Sequence, residues 1–248
     1  MLTPERQQII LELVQKHEVV KLQDFVDATG ASESTIRRDL SQLEEQNKLK
    51  RVHGGAARIL KKGEEPSIIE KASINLYEKK KVAKVAADLV MDGDCIFLDA
   101  GTTTFQMIPY LENKQITVVT NGFVHIQSLM EKGLETYIIG GFMKNKTGAI
   151  IGSKASQSLL DYNFDKAFIG ANGVHPTNGY TTPDPEEASI KSLAIKLANE
   201  AFILADSSKI NEVAFAKIAP LQSGTLIINQ IEEALAATFK DKTTVIEV

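Results

Sequence analysis

The chain has 248 residues, 43% hydrophobic and 24% charged, enough to bury the core of one large domain or two smaller ones and too apolar for global disorder. Its one cysteine, Cys95, excludes an intramolecular disulfide and a cysteine-based zinc cluster. No apolar run approaches the ~20 residues of a membrane span, the start MLTPERQQII lacks the apolar core of a signal peptide, and the lone thiol suits a reducing compartment, so a soluble cytoplasmic protein with no membrane partner is expected.

Thr3 can cap a first helix with Pro4 in its first turn, and Ile9, Ile10, Leu13 and Val14 then recur at helical spacing. A short second helix is expected from Lys21 to Thr29, ended by Gly30. Ser32 caps a third, SESTIRRDLSQLEEQN. On a helical wheel Ile36, Leu40 and Leu43 fall within ~60° of one another and form its buried face. Ser34, Arg37, Arg38 and Ser41 lie ~100–200° from Ile36, on the opposite face. Arginine can grip phosphate or the O6/N7 edge of guanine, and serine or threonine can reach either phosphate or base. Two helices joined by Thr29-Gly30-Ala31, the second presenting this face, read as a helix-turn-helix over about residues 20–39. LKRVHGGAARI can form a hairpin turning at Gly54-Gly55, a wing with Arg51, His53 and Arg58 available to phosphates.

Ser32, Ser34, Thr35, Arg37, Arg38, Ser41, Arg51, His53 and Arg58 are thus the candidate DNA contacts. Charge agrees: residues 1–62 hold 11 Lys/Arg against 9 Asp/Glu, and the remainder 17 against 23. A basic end on an acidic body suits a polyanion partner, or a solvated surface. The same arginines could instead pair with Glu33, Glu44 or Glu45 along the helix.

Residues 61–77 are weakly periodic and read as a linker. Beyond them helix and strand alternate: a helix over Val82–Val90, strands near 95–99, 116–120, 136–139, 167–169, 201–205, 227–228 and 244–246, and helices near 123–132, 155–162, 185–199 and 232–238. That alternation predicts a layered α/β domain over 78–248 with a largely parallel sheet. Ligands of such sheets bind beyond the carboxyl ends of the strands.

Those ends are rich in small and polar residues. The first runs into Asp99-Ala100-Gly101-Thr102-Thr103-Thr104, which is an anion cradle at a helix start or an ordinary capped turn. Asn121 follows the second strand, Gly140 and Gly141 the third, Gly170, Asn172 and Gly173 the fourth, and Asp206 and Lys209 the fifth. Converging, they would suit a phosphorylated polyol, with carboxylates accepting from hydroxyls and Lys209 facing phosphate. Glu187 and Lys191 either close over that pocket or form a surface i,i+4 pair.

The run STIRRDLSQLEEQNKLKRVHGGA resembles the DNA-binding signature of the DeoR family of bacterial transcriptional regulators. DGDCIFLDAGTTT and NGVHPTNGYTTPDPEEASIK extend that likeness, toward the fructose-operon repressors of the family, until about residue 215. The resemblance implies a winged helix-turn-helix over residues 1–60 and a sensor domain similar in fold to ribose-5-phosphate isomerase. The family's DxGTT loop falls on Asp99, Gly101, Thr102 and Thr103, its asparagine on Asn121, its DxxFxG on Asp165, Phe168 and Gly170, its acidic pair on Glu186 and Glu187, and its DxxK on Asp206 and Lys209. It further implies a homo-oligomer, dimer or tetramer, that represses a sugar operon by binding operator DNA and is released by a sugar phosphate, fructose 1-phosphate first. No catalytic residue, metal or cofactor is expected. The alternative is a sugar-phosphate isomerase or deaminase with a helical extension, which would require a base such as Glu187.

Overall fold

Periodicity and caps decide the first third of the chain. The structure, a computed structural model, describes residues 1–17, 19–52, 54–59 and 63–248, which divide into two units, Met1–Pro66 and Ser67–Val248. The first contains α1 (Thr3–His17), β1 (Val19–Lys21), α2 (Leu22–Thr29), α3 (Glu33–Glu45), β2 (Lys50–Val52) and β3 (Gly55–Ala57). Ile10, Val14, Phe25, Ile36, Leu40, Leu43 and Leu49 form its core, so the expected keel of α3 is its buried side. Gly30 closes α2 at φ 67°, a left-handed conformation that other residues resist. Ser32 caps α3 by accepting from the Thr35 N–H at 3.3 Å.

The wing has a third strand that the sequence did not announce: β1 pairs with β3, which pairs with β2, all antiparallel. Gly55 is therefore not a turn residue. It opposes Val52 in the returning strand, and a Cβ there would stand 2.0 Å from the Val20 carbonyl oxygen. Glycine is required by the close approach of β1. Arg6 and Asp39 are both buried and joined by two hydrogen bonds, from Nε to Oδ2 and from Nη2 to Oδ1. That bond raises the Arg6 pKa further against the cost of burial.

The second unit begins earlier than the sequence suggested. Where a linker was expected over 61–77, residues from Ser67 onward form α4 (Ile68–Ser73) and the start of α5 (Leu76–Asp88). A reciprocal capping box between Ser67 and Glu70 opens α4. There follow β4 (Cys95–Leu98), α6 (Thr102–Phe105), β5 (Thr117–Thr120), α7 (His125–Glu131), β6 (Glu135–Ile138), β7 (Phe142–Lys144), β8 (Ala149–Ile151), α8 (Ser153–Leu159) and β9 (Phe164–Gly170). Then come β10 (Gly173–His175), β11 (Gly179–Thr182), α9 (Pro185–Lys196), β12 (Ala198–Ala205), β13 (Ala216–Ala219), β14 (Thr225–Ile228), α10 (Glu233–Lys240) and β15 (Val245–Glu247).

The main sheet has seven parallel strands in the order β15-β14-β12-β9-β4-β5-β6. Alternate strand residues face opposite sides: Ile96, Leu98, Val118, Phe168, Phe202 and Leu204 enter one core cluster, while Phe97, Val119, Ala167, Ile169 and Ile203 enter the other. A sheet covered by helices on both faces explains its continuous apolar strands. From β4 the chain builds toward β6 and then returns to build from β9 toward β15. The order reverses between β4 and β9, which is where such sheets open a crevice. The hairpin β7-β8 and the small sheet β10-β11-β13 were not anticipated, because strands this short carry little periodicity.

Asp39→Ala should leave the Arg6 guanidinium buried without its counter-charge and cost the first unit about 3–5 kcal/mol. Calorimetry of the full chain should show that unit's transition lowered and the transition of the second unit unmoved.

Candidate functional site

On α3 the side opposite the keel is exposed as expected. Ser32, Ser34 and Thr35 cluster at its start through hydroxyl contacts of 2.9–3.0 Å. Arg37 is more than half exposed and makes a 3.4 Å contact with Glu33, a surface pair of little energetic weight. Arg38 is exposed, and no partner is recorded for it among the described residues. Ser41 accepts from Arg51 Nη1 at 2.9 Å, while the Arg51 backbone N–H donates to Glu44 at 2.7 Å. Those two bonds tie the wing to α3. Arg58 lies 3.5 Å from Glu64. His53 falls outside the described residues.

In the second unit the carboxyl ends of β12, β9, β4, β5 and β6 stand in one row, neighbours ~4.8 Å apart. Asp99, just past β4, is buried, and its Oδ2 accepts from the Gly170 N–H at the end of β9 at 3.0 Å and from the ammonium of Lys191. Lys191 also donates to the Gly170 carbonyl at 3.1 Å. One carboxylate and one ammonium thus bridge the two strands where the sheet order reverses. Asn121 is buried and committed at both ends, accepting from the Ala100 N–H at 3.0 Å and donating to the Ile150 carbonyl at 3.3 Å.

α6 opens at Gly101 without a side-chain cap and lies against β9 and β12. Its three threonines are not equivalent. The Thr104 hydroxyl donates to the Asp99 and Gly101 carbonyls. Among the described residues the hydroxyls of Thr102 and Thr103 make no hydrogen bond, nor does the ammonium of Lys209 two strands away, whose charge acts on Asp206. Hydroxyl and ammonium donors of this kind can pair with an anion.

Asp206, past β12, is buried and accepts from Asn75 Nδ2 at 2.9 Å, from the Ser208 N–H at 3.1 Å and from the Ser208 hydroxyl. Burial pushes its pKa up, but Lys209, these hydrogen bonds and Lys79 outweigh that and hold it below the usual range. Lys79 is itself buried, which lowers it to about 8 despite the attraction of Asp206. Asn172 accepts from the Thr182 hydroxyl at 3.0 Å, Gly173 is buried within β10, and Gly140 and Gly141 are exposed past β6, at the far end of the row.

Glu187 and Lys191 are not a surface pair. Both are buried, and each reaches a different element. Glu187 Oε1 accepts from Lys144 Nζ at 2.9 Å and from the Thr147 hydroxyl at 2.8 Å, and Lys144 also binds Asp184 at 2.7 Å. Lys144, Asn75 and Lys79 escaped the sequence reading. Each acts through a partner distant in the chain, and nothing local marks it. Among the described residues no group of three His, Cys, Asp or Glu is placed to hold a metal ion, and no helix is long and apolar enough to cross a membrane.

Comparison with known proteins agrees with this division. The DeoR-like helix-turn-helix domain matches residues 6–62, and the DeoR C terminal sensor domain matches residues 74–230. The chain is 50% identical over 246 residues to the uncharacterized HTH-type transcriptional regulator FruR of Bacillus subtilis (strain 168), covering 99% of this chain and 98% of that protein. It is 34% identical over 217 residues to a lactose phosphotransferase system repressor of Staphylococcus epidermidis, 86% of each. Among solved structures, ribose 5-phosphate isomerase A of Methanocaldococcus jannaschii aligns over 55% of each chain with 25% identity and a TM-score of 0.42.

His125, on α7 beside this site, gives a pH signature. It is wholly buried, with Nε2 3.5 Å from the Thr104 hydroxyl and Nδ1 unpartnered. Burial lowers its pKa from 6.5 to about 4, against the pull of Asp99 and with a smaller push from Lys191. Between those values the unfolded chain binds the proton and the folded chain does not, so stability is lost as pH falls from about 6.5 toward about 4. The loss should be on the order of 3 kcal/mol, at about 1.4 kcal/mol per pKa unit. Denaturant unfolding of the second unit from pH 7 to pH 4 should show this slope, and His125→Gln should flatten it.

Proposed function

The chain belongs to the DeoR family of transcriptional regulators, and we propose that it represses a sugar-utilisation operon, that of fructose, until fructose 1-phosphate binds at the strand ends of its second unit. The carrying observation is the contrast at those ends. Asp99, Asn121, Thr104 and Lys191 are committed to one another and to the backbone, whereas among the described residues Thr102, Thr103 and Lys209 make no side-chain hydrogen bond. A rigid frame around open donors is what binding a small anion needs. In this reading the phosphate takes Thr102, Thr103 and the start of α6, with Lys209 as counter-charge. Asp206 and Asn172 take sugar hydroxyls. Asp99 acts on the effector by holding Lys191 and Gly170.

On DNA, α3 enters the major groove with Arg37 and Arg38 toward bases and phosphates, and the wing carrying Arg51 follows the backbone. Two reading heads of a homo-oligomer in the cytoplasm address two half-sites. Effector weakens that complex only by its difference in affinity for the DNA-bound and free arrangements. The enzyme reading finds less support: Glu187, its candidate base, is buried and already accepts from Lys144 and Thr147, and the relatives above are named as regulators or repressors.

Thr103→Ala should remove one donor to the phosphate and cost about 1.5–3 kcal/mol of effector binding. The expected reading is operator affinity unchanged without effector and ~10-fold or more fructose 1-phosphate needed for release. Fructose 6-phosphate, ribose 5-phosphate and glucosamine 6-phosphate complete the panel, and an unshifted release curve in a folded variant would place the effector elsewhere. Arg38→Ala should weaken operator binding by about 1–3 kcal/mol where the side chain reads a base, measured by titration at fixed salt. Unchanged affinity in the folded Arg37→Ala/Arg38→Ala protein would remove α3 from the interface.

A further inference from the structure

The first helix after the boundary at Pro66 is tied down by the candidate effector site. α4 has six residues, none of them buried, and a helix this short does not persist without tertiary support. At its start the Ile68 N–H donates to the Lys146 carbonyl at 2.9 Å, in the hairpin whose Lys144 binds Asp184 and Glu187. Along its length it lies against α6, which carries the unused threonine hydroxyls. At its end the buried ammonium of Lys79 donates to the Lys71 carbonyl. Two residues past α4, Asn75 donates from Nδ2 to Asp206 Oδ1 at 2.9 Å and to the Ser208 hydroxyl at 3.3 Å.

We propose that α4 is a strap between the sensor and the DNA-binding unit, and that Asn75 and Lys79 are the positioning residues that hold it down. What frees the strap rests on the reading above: a sugar hydroxyl donating to Asp206 competes with Asn75, and a phosphate at α6 crowds the surface on which α4 lies. The strap sets the length of chain on which each reading head is carried. Held, it leaves the second unit beginning at Ser67, directly after Pro66, the last residue of the first unit. Freed, it adds residues 67–75 as tether before α5. Effective concentration falls as a tether lengthens, so the gain from a second half-site drops. Asn75 stands at φ 51°, so Asn75→Gly removes the amide without straining the backbone. Lys79→Met keeps the stem and removes the ammonium, while Asp206 retains Lys209 and its hydrogen bonds to Ser208 and Asn75.

The test uses the full chain and a duplex with the two half-sites that the wild type selects from a random-sequence pool, beside a duplex with one half-site. Without effector, Asn75→Gly and Lys79→Met, each shown to be folded by its melting curve, should bind the two-site duplex more weakly than wild type and the one-site duplex as wild type does. The exposed neighbour Lys80→Met should match wild type on both. Hydrogen exchange over residues 67–75 should quicken in the two variants, and in wild type on adding fructose 1-phosphate but not inorganic sulfate. Unchanged two-site affinity in either variant, or an equal loss on both duplexes, overturns the strap. If the variants behave as expected while fructose 1-phosphate leaves wild-type exchange unaltered, the strap stands and the effector reading falls.

Discussion

Asp99 sits at the reversal of strand order, and the carboxyl end of the sheet is organised around its carboxylate. A parallel sheet built outward in two directions leaves β4 and β9 as neighbours whose following loops diverge. Without a tie, the N–H and carbonyl of half-buried Gly170 at that crevice would each lose a partner, at a cost of about 0.5–1.5 kcal/mol. Asp99 accepts from the Gly170 N–H, and Lys191 covers the Gly170 carbonyl while neutralising Asp99. The loop leading into α6 leaves this fixed point, which is why Thr102 and Thr103 can be presented without being bonded. Mobile donors would have to be ordered by the ligand, at the expense of affinity.

Elsewhere the molecule repeats the device of a buried or half-buried ion pair that joins elements remote in sequence. Arg6 and Asp39 join α1 to α3, Lys166 and Asp94 meet at 2.6 Å near the opposite end of the sheet, and Lys144 joins the β7-β8 hairpin to α9. Such pairs are weak evidence for net stability, because desolvation offsets most of their attraction. Their effect here is positional. Sliding α3 along α1, or α9 along the sheet, would separate charges in a low-dielectric interior. α3 and the frame around Asp99 are therefore both held in register by electrostatics, while apolar packing supplies the bulk of the folding free energy.

What could be read from the chain follows the range of the interactions involved. The keel of α3, the Ser32 cap and Gly30 are local, and the sequence displayed them through period and chemistry. The strands of the large sheet were legible because burial on both faces makes them continuous apolar runs, and their ends because polar residues follow abruptly. β1 was missed because three residues show no period and only pairing with β3 defines it. For Glu187 and Lys191 the sequence left a surface pair and a place at the pocket both open, because i,i+4 spacing is ambiguous and their true partners lie 20 or more residues away. α4 looked like linker for the same reason. With no buried side chain it has no apolar stripe, and its anchors belong to the rest of the sensor.

If the chain represses as proposed, the strand-end site and α3 share one free-energy coupling. Coupling of this kind is reciprocal: the factor by which a sugar phosphate weakens operator binding must equal the factor by which operator weakens sugar-phosphate binding. The direct measurement is the affinity of the full chain for fructose 1-phosphate by calorimetry, with and without saturating operator duplex. Binding should be weaker in the presence of operator, by the same factor that effector imposes on the operator titration. Equal affinity with and without operator would contradict the coupling.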